Sequence, residues 1–233
     1  MLEKLKQEYE TKGYFLYERA IDQDGVASLI HVLSAIEKEA NNYGFRDLIG
    51  RLPAIRQLAL SPPLLSIAKE VLGDFARPVR SVFFDKVKGA NWGVPWHQDT
   101  SIAVKKHIDV AGFGPWSEKQ GVIHVEPPET YLKNTLTLRI HLDKTDRENG
   151  VLRVIPGTHI DGRVKSKQLI NIVEKSQDRV VECNAGPGDV LLMCPLLFHS
   201  SRKALNPSHR RIVHIEYSSM TLPDPLEWYE SAG

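Results

Sequence analysis

The sequence predicts a mainly β fold, a sandwich or barrel with helices packed on its outside. Short runs rich in β-branched and aromatic residues dominate from Val79 onward, with Gly- and Pro-containing turn signals between them. Many short strands separated in this way read as a sandwich or barrel rather than a parallel sheet. Apolar residues at helical spacing are concentrated before Leu72. The 233 residues, 42% hydrophobic, suit one globular domain, residues 1–233, that can bury a sizeable core.

In chain order, residues 14 to 20 read as a short strand. Gly25 to Asn41 carries Val26, Leu29, Ile30, Leu33 and Ile36 on one face and reads as an amphipathic helix. Pro53 to Leu72 reads as two short helices broken at Pro62-Pro63. Strands follow at about Val79 to Lys88, Pro95 to Thr100, Leu136 to Leu142, Val151 to Ile155, Arg179 to Cys183, Val190 to Met193 and Arg211 to Tyr217. No internal repeat, low-complexity tract or interdomain linker interrupts them.

The charge balance narrows the function classes. Thirty Lys and Arg face 29 Asp and Glu, a net charge of +1, so nothing argues for nucleic acid or an anionic membrane as partner. The first residues, Met1 to Glu8, are charged throughout and cannot form the apolar segment of a signal peptide. No stretch approaches the length of a membrane span. Two cysteines, Cys183 and Cys194, do not make a disulfide scaffold, and Cys194 sits in an apolar run as a buried thiol would. A cytoplasmic location is the simplest expectation.

The chemistry is concentrated in His97-Gln98-Asp99, His199 and Arg210. On an extended chain, positions i and i+2 point to the same side, so His97 and Asp99 can reach one metal ion while Gln98 faces away. His199 follows Gly188 to Cys194, a turn feeding a short buried strand, and precedes a polar connection, Ser200 to Ser208. Arg210 then opens an alternating strand, so His199 and Arg210 are expected near facing ends of two neighbouring strands. Two imidazoles and one carboxylate are the ligand set of a non-haem Fe(II) site with open positions. A guanidinium nearby can grip a dicarboxylate co-substrate through two parallel hydrogen bonds. In a chain with nine histidines each piece alone is weak evidence. Their joint occurrence in this order, each on or beside a predicted strand, is what points to a site.

Several further motifs accompany these residues: Phe84-Asp85-Lys86, Asn91-Trp92, Trp96-His97-Gln98-Asp99, Glu148-Asn149-Gly150 running into Ile155-Pro156-Gly157-Thr158-His159, Gly188-Asp189-Val190, and His199-x-Ser201 through Arg210-Arg211. Over roughly Gly13 to Tyr217 the chain resembles the phytanoyl-CoA dioxygenase family of Fe(II)/2-oxoglutarate oxygenases. The resemblance implies a double-stranded β-helix (jelly-roll, cupin-like) core. It implies iron held by His97, Asp99 and His199, and 2-oxoglutarate held by Arg210 with Ser201. It puts Lys86 and Trp116 at co-substrate or lid positions. The carboxylate that related halogenases lack is present as Asp99. The implied reaction consumes O2 and 2-oxoglutarate, releases succinate and carbon dioxide, and hydroxylates a small-molecule substrate by default. Two other readings stay open: a cupin-type metalloenzyme that uses no keto acid, and a non-catalytic jelly-roll protein that binds 2-oxoglutarate.

Other regions carry paired expectations. Residues 102 to 130 read as a long irregular insertion, either a lid over the iron or a packed surface loop. Thr137, Arg139 and His141 share one face of a strand. Either they form a solvent-facing stripe, the reading slightly favoured, or they line the site, where Arg139 would meet an anionic part of the substrate. Arg211 is expected to point away from Arg210 and to be exposed. His107, His124, His159, His209 and His214 read as turn, surface or core residues, and Asp143 to Gly150 as a hairpin connection without calcium-loop spacing.

Overall fold

The computed structural model describes residues 2–37 and 44–230. Among these residues seven α-helices and thirteen strands alternate in blocks. The chain opens with α1 (Leu2–Lys12), β1 (Tyr14–Tyr17), α2 (Gln23–Glu37), β2 (Phe45–Arg46), α3 (Leu48–Arg51), α4 (Pro53–Leu60) and α5 (Leu64–Leu72). Next come β3 (Arg77–Asp85), β4 (Val94–His97), β5 (Ile102–Val104), β6 (Trp116–Lys119), β7 (Val122–Val125), α6 (Glu129–Lys133) and β8 (Thr135–His141). The last block holds β9 (Leu152–Val154), α7 (Ser166–Lys175), β10 (Val181–Glu182), β11 (Val190–Met193), β12 (His199–Ser201) and β13 (Arg211–Ser218). Residues 38–41, the expected end of the second helix, lie outside the described residues.

Every strand pairing is antiparallel. A six-stranded sheet runs β1-β11-β8-β13-β3-β2, a four-stranded sheet runs β10-β9-β12-β4, and a small sheet runs β5-β7-β6. The strand β8 leads to β9 through a capped turn, so the chain crosses from the large sheet to the four-stranded one at residues 142–151. The expected hairpin connection there is therefore a crossover. Asp146 Oδ1 accepts from the Glu148 N–H at 2.9 Å, Asn149 Oδ1 accepts from the Asp146 N–H at 2.8 Å, and Gly150 takes φ 81°.

Alternation decides what each face of the large sheet meets. The Tyr217 hydroxyl donates to the Ala59 carbonyl of α4 at 2.9 Å, so Val213, Ile215 and Tyr217 of β13 face the helices. Their β8 partners Leu136, Leu138 and Ile140 are fully buried against the same layer. Fully burying one such leucine is worth about 2 kcal/mol. The opposite face carries Ile212, His214 and Glu216 on β13, opposite His141, Arg139 and Thr137 on β8. All three of the latter are buried, with Arg139 only 8% exposed. The solvent-facing stripe expected for them is thus overturned, because the four-stranded sheet covers this face. Arg211, expected to be exposed, instead grips Asp143 side-on: Nε to Oδ2 at 2.9 Å and Nη2 to Oδ1 at 2.8 Å.

The helices form as their apolar spacing requires. In α2, Val26, Leu29, Leu33 and Ile36 are buried, and Asp22 Oδ1 accepts from the Gly25 N–H at 2.8 Å, capping the first turn. The break expected at Pro62-Pro63 separates α4 from α5. Four helices escape the sequence reading, the short α3 and α6 and the longer α1 and α7. Among the described side chains α1 buries Leu5 and Tyr9, and α7 buries Leu169 and Val173, pairs four residues apart, while Ile170 of α7 stays exposed. Both cysteines are buried free thiols. Among the described residues no helix is long and apolar enough to cross a membrane.

Candidate metal centre and co-substrate cavity

The four-stranded sheet carries the histidines. In the pairing of β12 with β4, His199 lies directly opposite His97, and the ring centroids are 4.1 Å apart. The strand β4 ends at His97, so Asp99 stands just beyond it rather than on it. Its N–H donates to the Pro195 carbonyl at 2.8 Å, which keeps the extended path and leaves the carboxylate on the histidines' side. Gln98 points the other way. Its amide donates to the Gly162 and Leu196 carbonyls at 2.8 and 2.7 Å and accepts from the Val164 N–H at 3.0 Å, anchoring the segment between the two ligands.

His97 Nε2 is 3.8 Å from Asp99 Oδ1, and His199 Nε2 is 3.5 Å from Asp99 Oδ2. One ligand atom from each of the three residues lies within 4.8 Å of the others, a set able to hold one metal ion. The tautomers fit that task. His97 Nδ1 donates to the Pro95 carbonyl at 2.9 Å, and His199 Nδ1 to the Leu197 carbonyl at 2.8 Å. Each imidazole so tied presents an Nε2 lone pair toward Asp99, as a metal ligand must. Burial, with the His97 charge nearby, pushes the His199 imidazolium down to about 4. Burial opposes ionisation of Asp99, but the neighbouring His199 and His97 outweigh it and hold the carboxyl well below its usual range. Neutral imidazole and ionised carboxylate are the protonation states that bind a divalent cation.

The triad lines a cavity of about 200 Å³ between the two larger sheets. Arg210 enters it from the large sheet. The expectation of neighbouring strands fails here. His199 is on β12 and Arg210 adjoins β13, so they approach across the barrel from different sheets. Asp85 sets the arginine's backbone, accepting from the Arg210 N–H at 2.9 Å and from His209 Nδ1 at 2.7 Å. Arg210 Nη1 donates to the Gly150 carbonyl at 2.8 Å, while its buried Nε has no partner. Gly150 is needed at that turn. Besides its positive φ, a Cβ there would stand 2.7 Å from the Arg202 carbonyl oxygen and 3.4 Å from Lys86 Nζ.

Lys86 Nζ, also buried, donates to Ser201 Oγ at 3.1 Å and to the Arg202 carbonyl at 2.9 Å. Burial, helped by Arg210 and Arg139, pushes its ammonium down to about 7. Burial and the Arg139 charge push Arg210 down to about 9, with Asp85 opposing. The cavity thus gathers cations with little negative charge to answer them. A dianion is what such a space accepts.

The remaining motifs position these groups. Thr158 Oγ1 donates to the Ile155 carbonyl at 2.8 Å and accepts from the Phe198 N–H at 3.0 Å, fixing the chain just before His199. Asp189 holds the Arg19 N–H at 2.8 Å and the Gly186 N–H at 2.6 Å, a structural part in β11's turn. Trp116 is different. It begins β6, its ring stacks on His107 at 4.1 Å, and it does not line the cavity, so it is not placed to touch a co-substrate there. The segment expected to be irregular, residues 102 to 130, holds the small sheet β5-β7-β6 and the start of α6, while residues 105–115 between β5 and β6 are irregular as expected. A larger cleft of about 760 Å³ borders the centre at His97, but it lacks Asp99 and His199, so the three candidate ligands meet in the smaller cavity.

The sequence reading left out Arg80 and Glu216 and set His214 among turn, surface or core histidines. His214 and Arg80 line the cavity. The period-2 row Ile212, His214, Glu216, continuing from Arg210, was the available signal.

With the geometry established, comparison settles the family. The phytanoyl-CoA dioxygenase profile, Phytanoyl-CoA dioxygenase (PhyH), matches residues 9–212. The chain belongs to the phytanoyl-CoA dioxygenase family. Fe(II), 2-oxoglutarate and O2 are what this family uses. Among curated proteins none matches the chain. Solved structures do. The non-heme alpha ketoglutarate dependent carbocyclase SnoK from nogalamycin biosynthesis shares 18% identity, with TM-score 0.70, over 92% of this chain and 83% of that one. EctD from S. alaskensis with 2-oxoglutarate and 5-hydroxyectoine shares 18% identity, TM-score 0.70, over 92% and 75%. HygX from Streptomyces hygroscopicus with iron bound shares 16% identity, TM-score 0.67, over 92% and 85%. The shared fold is the cupin-like jelly roll of 2-oxoglutarate oxygenases, as expected from the resemblance.

Proposed function

We propose that this phytanoyl-CoA dioxygenase family member hydroxylates a small-molecule substrate, with His97, Asp99 and His199 holding Fe(II) and Arg210, Ser201 and Lys86 holding 2-oxoglutarate. The observation that carries the reading is the convergence of two carbonyl-tethered imidazoles and one carboxylate in the cavity that also buries Arg210 and Lys86. When bound, iron and 2-oxoglutarate supply oxidation of a C–H bond by O2, with release of succinate and carbon dioxide. The chain's own groups orient and exclude. Asp99 and the two histidines would hold the iron, a three-residue set that leaves it able to take further ligands. Arg210 and Lys86 take the far carboxylate, and the covering sheets keep bulk water from the reacting centre.

A cupin-type enzyme without a keto acid would leave Arg210 and Lys86 buried with no anion to hold, which disfavours that reading. A non-catalytic 2-oxoglutarate binder is separated by experiment. Anaerobic addition of Fe(II) and 2-oxoglutarate should give the weak visible charge-transfer band of the chelate, and admission of air should release succinate. A protein that forms the band but releases no succinate with any candidate substrate is a sensor, not an oxygenase.

Lys86 gives this reading a pH signature. Its ammonium titrates near 7 in the free cavity, and a bound dicarboxylate raises that value, so binding takes up a proton above pH 7. Affinity for 2-oxoglutarate should therefore be flat below about pH 7. Above it, affinity should fall by at most about tenfold per pH unit. His141 and His214 are held neutral by burial, and Arg139 and Arg210 titrate higher, so Lys86 owns this window. Lys86→Gln should bind 2-oxoglutarate more weakly and with no such slope between pH 6.5 and about 8.5. An unchanged slope in the variant would remove Lys86 from the co-substrate site.

A further inference from the structure

We infer that the Nε/Nη2 edge of Arg139 is a carboxylate subsite for the primary substrate. This rests on the proposed oxygenase reading, because it assigns the part of the same cavity that 2-oxoglutarate leaves free. Arg139 lies on β8, 8% exposed, and lines the cavity with the three metal-ligating residues. Its Nη1 donates to His214 Nδ1 at 3.3 Å. His214 is held for that purpose: its Nε2 donates to Glu216 Oε1 at 3.1 Å, and Glu216 is in turn paired with Arg80. The chain of contacts fixes His214 as a neutral acceptor and turns Arg139 so that its other edge is free.

That free edge is the informative one. Nε is buried and has no hydrogen-bond partner. Among the described residues no carboxylate forms an ion pair with Arg139, whereas Arg80 has Glu216 and Arg211 has Asp143. The Nε/Nη2 edge is the fork by which Arg211 grips Asp143 in this same protein. A desolvated guanidinium with an unpaired fork carries an unmet demand for a planar anion. Burial pushes Arg139 down to about 10, with Asp99 opposing, which agrees with a cation awaiting its counter-charge.

The co-substrate does not meet this demand. Its far carboxylate is assigned to Arg210, Ser201 and Lys86, and its keto-acid end to the metal. Arg139 is level with His214, four residues along the strand direction from Arg210, about 13 Å of extended backbone. The two arginines are thus rooted at different heights of the barrel. A carboxylate on the primary substrate, seated on Arg139, would lie beside the iron ligands and fix which C–H bond is presented.

The test uses the Fe(II)- and 2-oxoglutarate-loaded protein under anaerobic conditions. Binding of butyrate, hexanoate, octanoate and benzoate is measured by calorimetry, each beside its uncharged amide. At least one acid should bind tenfold or more tightly than its amide. Arg139→Gln should erase that preference while 2-oxoglutarate affinity stays within about twofold, and Arg139→Lys should retain part of it. A wild-type protein that prefers none of the acids overturns the subsite without any variant. So does an Arg139→Gln protein whose 2-oxoglutarate binding weakens tenfold, which would assign this arginine to the co-substrate. Absence of the chelate band would sink the oxygenase reading instead, and the acid–amide comparison on the metal-free protein would then decide Arg139 by itself.

Discussion

Asp99→Ala should eliminate iron-dependent turnover while leaving the fold intact. The carboxylate would be the one anionic ligand of the proposed set, and its two oxygens are directed at the two Nε2 atoms, 3.8 and 3.5 Å away. Removing it leaves two neutral imidazoles, which bind a divalent cation far more weakly than the full set does. Groups that only support a ligand typically cost about 10–100-fold in metal affinity or activity when lost. Loss of the ligand itself should exceed that, taking succinate formation to background. Asp99 lies beyond the end of β4 and is tied to Pro195 through its backbone, so alanine keeps that hydrogen bond. The depressed carboxyl means that its contacts with the two imidazoles add some stability, so alanine should lower the thermal stability of the apo protein modestly without unfolding it. Equilibrium Fe(II) binding and succinate release together check the expectation. Turnover comparable to wild type at saturating iron would remove Asp99 from the centre.

Arg210→Ala should raise the 2-oxoglutarate requirement by on the order of 100-fold, with a smaller effect on kcat. Hydrogen bonds to charged groups are worth about 1.5–3 kcal/mol, and about 1.4 kcal/mol corresponds to one decade in affinity. Two such bonds to one carboxylate make a loss of about 3 kcal/mol the lower expectation. The split between KM and kcat follows from position. Arg210 is assigned to the end of the co-substrate remote from the metal, so its loss removes binding shared by ground and transition states. Steady-state kinetics over a wide 2-oxoglutarate range decide the matter. An unchanged KM together with an unchanged kcat would leave Arg210 as a structural partner of Gly150 and nothing more. A fall in kcat at unchanged KM would place it at the chemistry rather than at the co-substrate tail.

Much of this site was readable before any coordinates. His97, Asp99, His199 and Arg210 were separable from the other histidines and arginines by order and by strand context. The motif around Glu148-Asn149-Gly150 pointed to the family. The structure adds why that motif exists: a capped turn with Gly150 at φ 81° turns a carbonyl toward Arg210. Expectation and structure part where pairing at a distance matters. Arg211 was expected to be exposed, yet Asp143, across an antiparallel junction, takes its guanidinium. The 102–130 segment was expected to be irregular, yet three strands of three or four residues pair there, too short to show alternation. The helices α1 and α7 were missed because each offers a narrow apolar stripe: among the described side chains two residues of each are buried, Leu5 and Tyr9 in one and Leu169 and Val173 in the other.

Local pattern determined the elements that carry their own signal: the amphipathic second helix, the helix pair broken at Pro62-Pro63, the alternating strands, and the same-side placement of His97 and Asp99. These follow from backbone periodicity and proline geometry, which act over a few residues. Only the tertiary structure decided that Thr137, Arg139 and His141 face inward, that His199 and Arg210 meet across two sheets, and that Trp116 stands aside. Which face of a strand is buried depends on what the rest of the chain lays over it. A covering sheet built from β4, β9, β10 and β12 leaves no mark in the alternation of β8 beneath it.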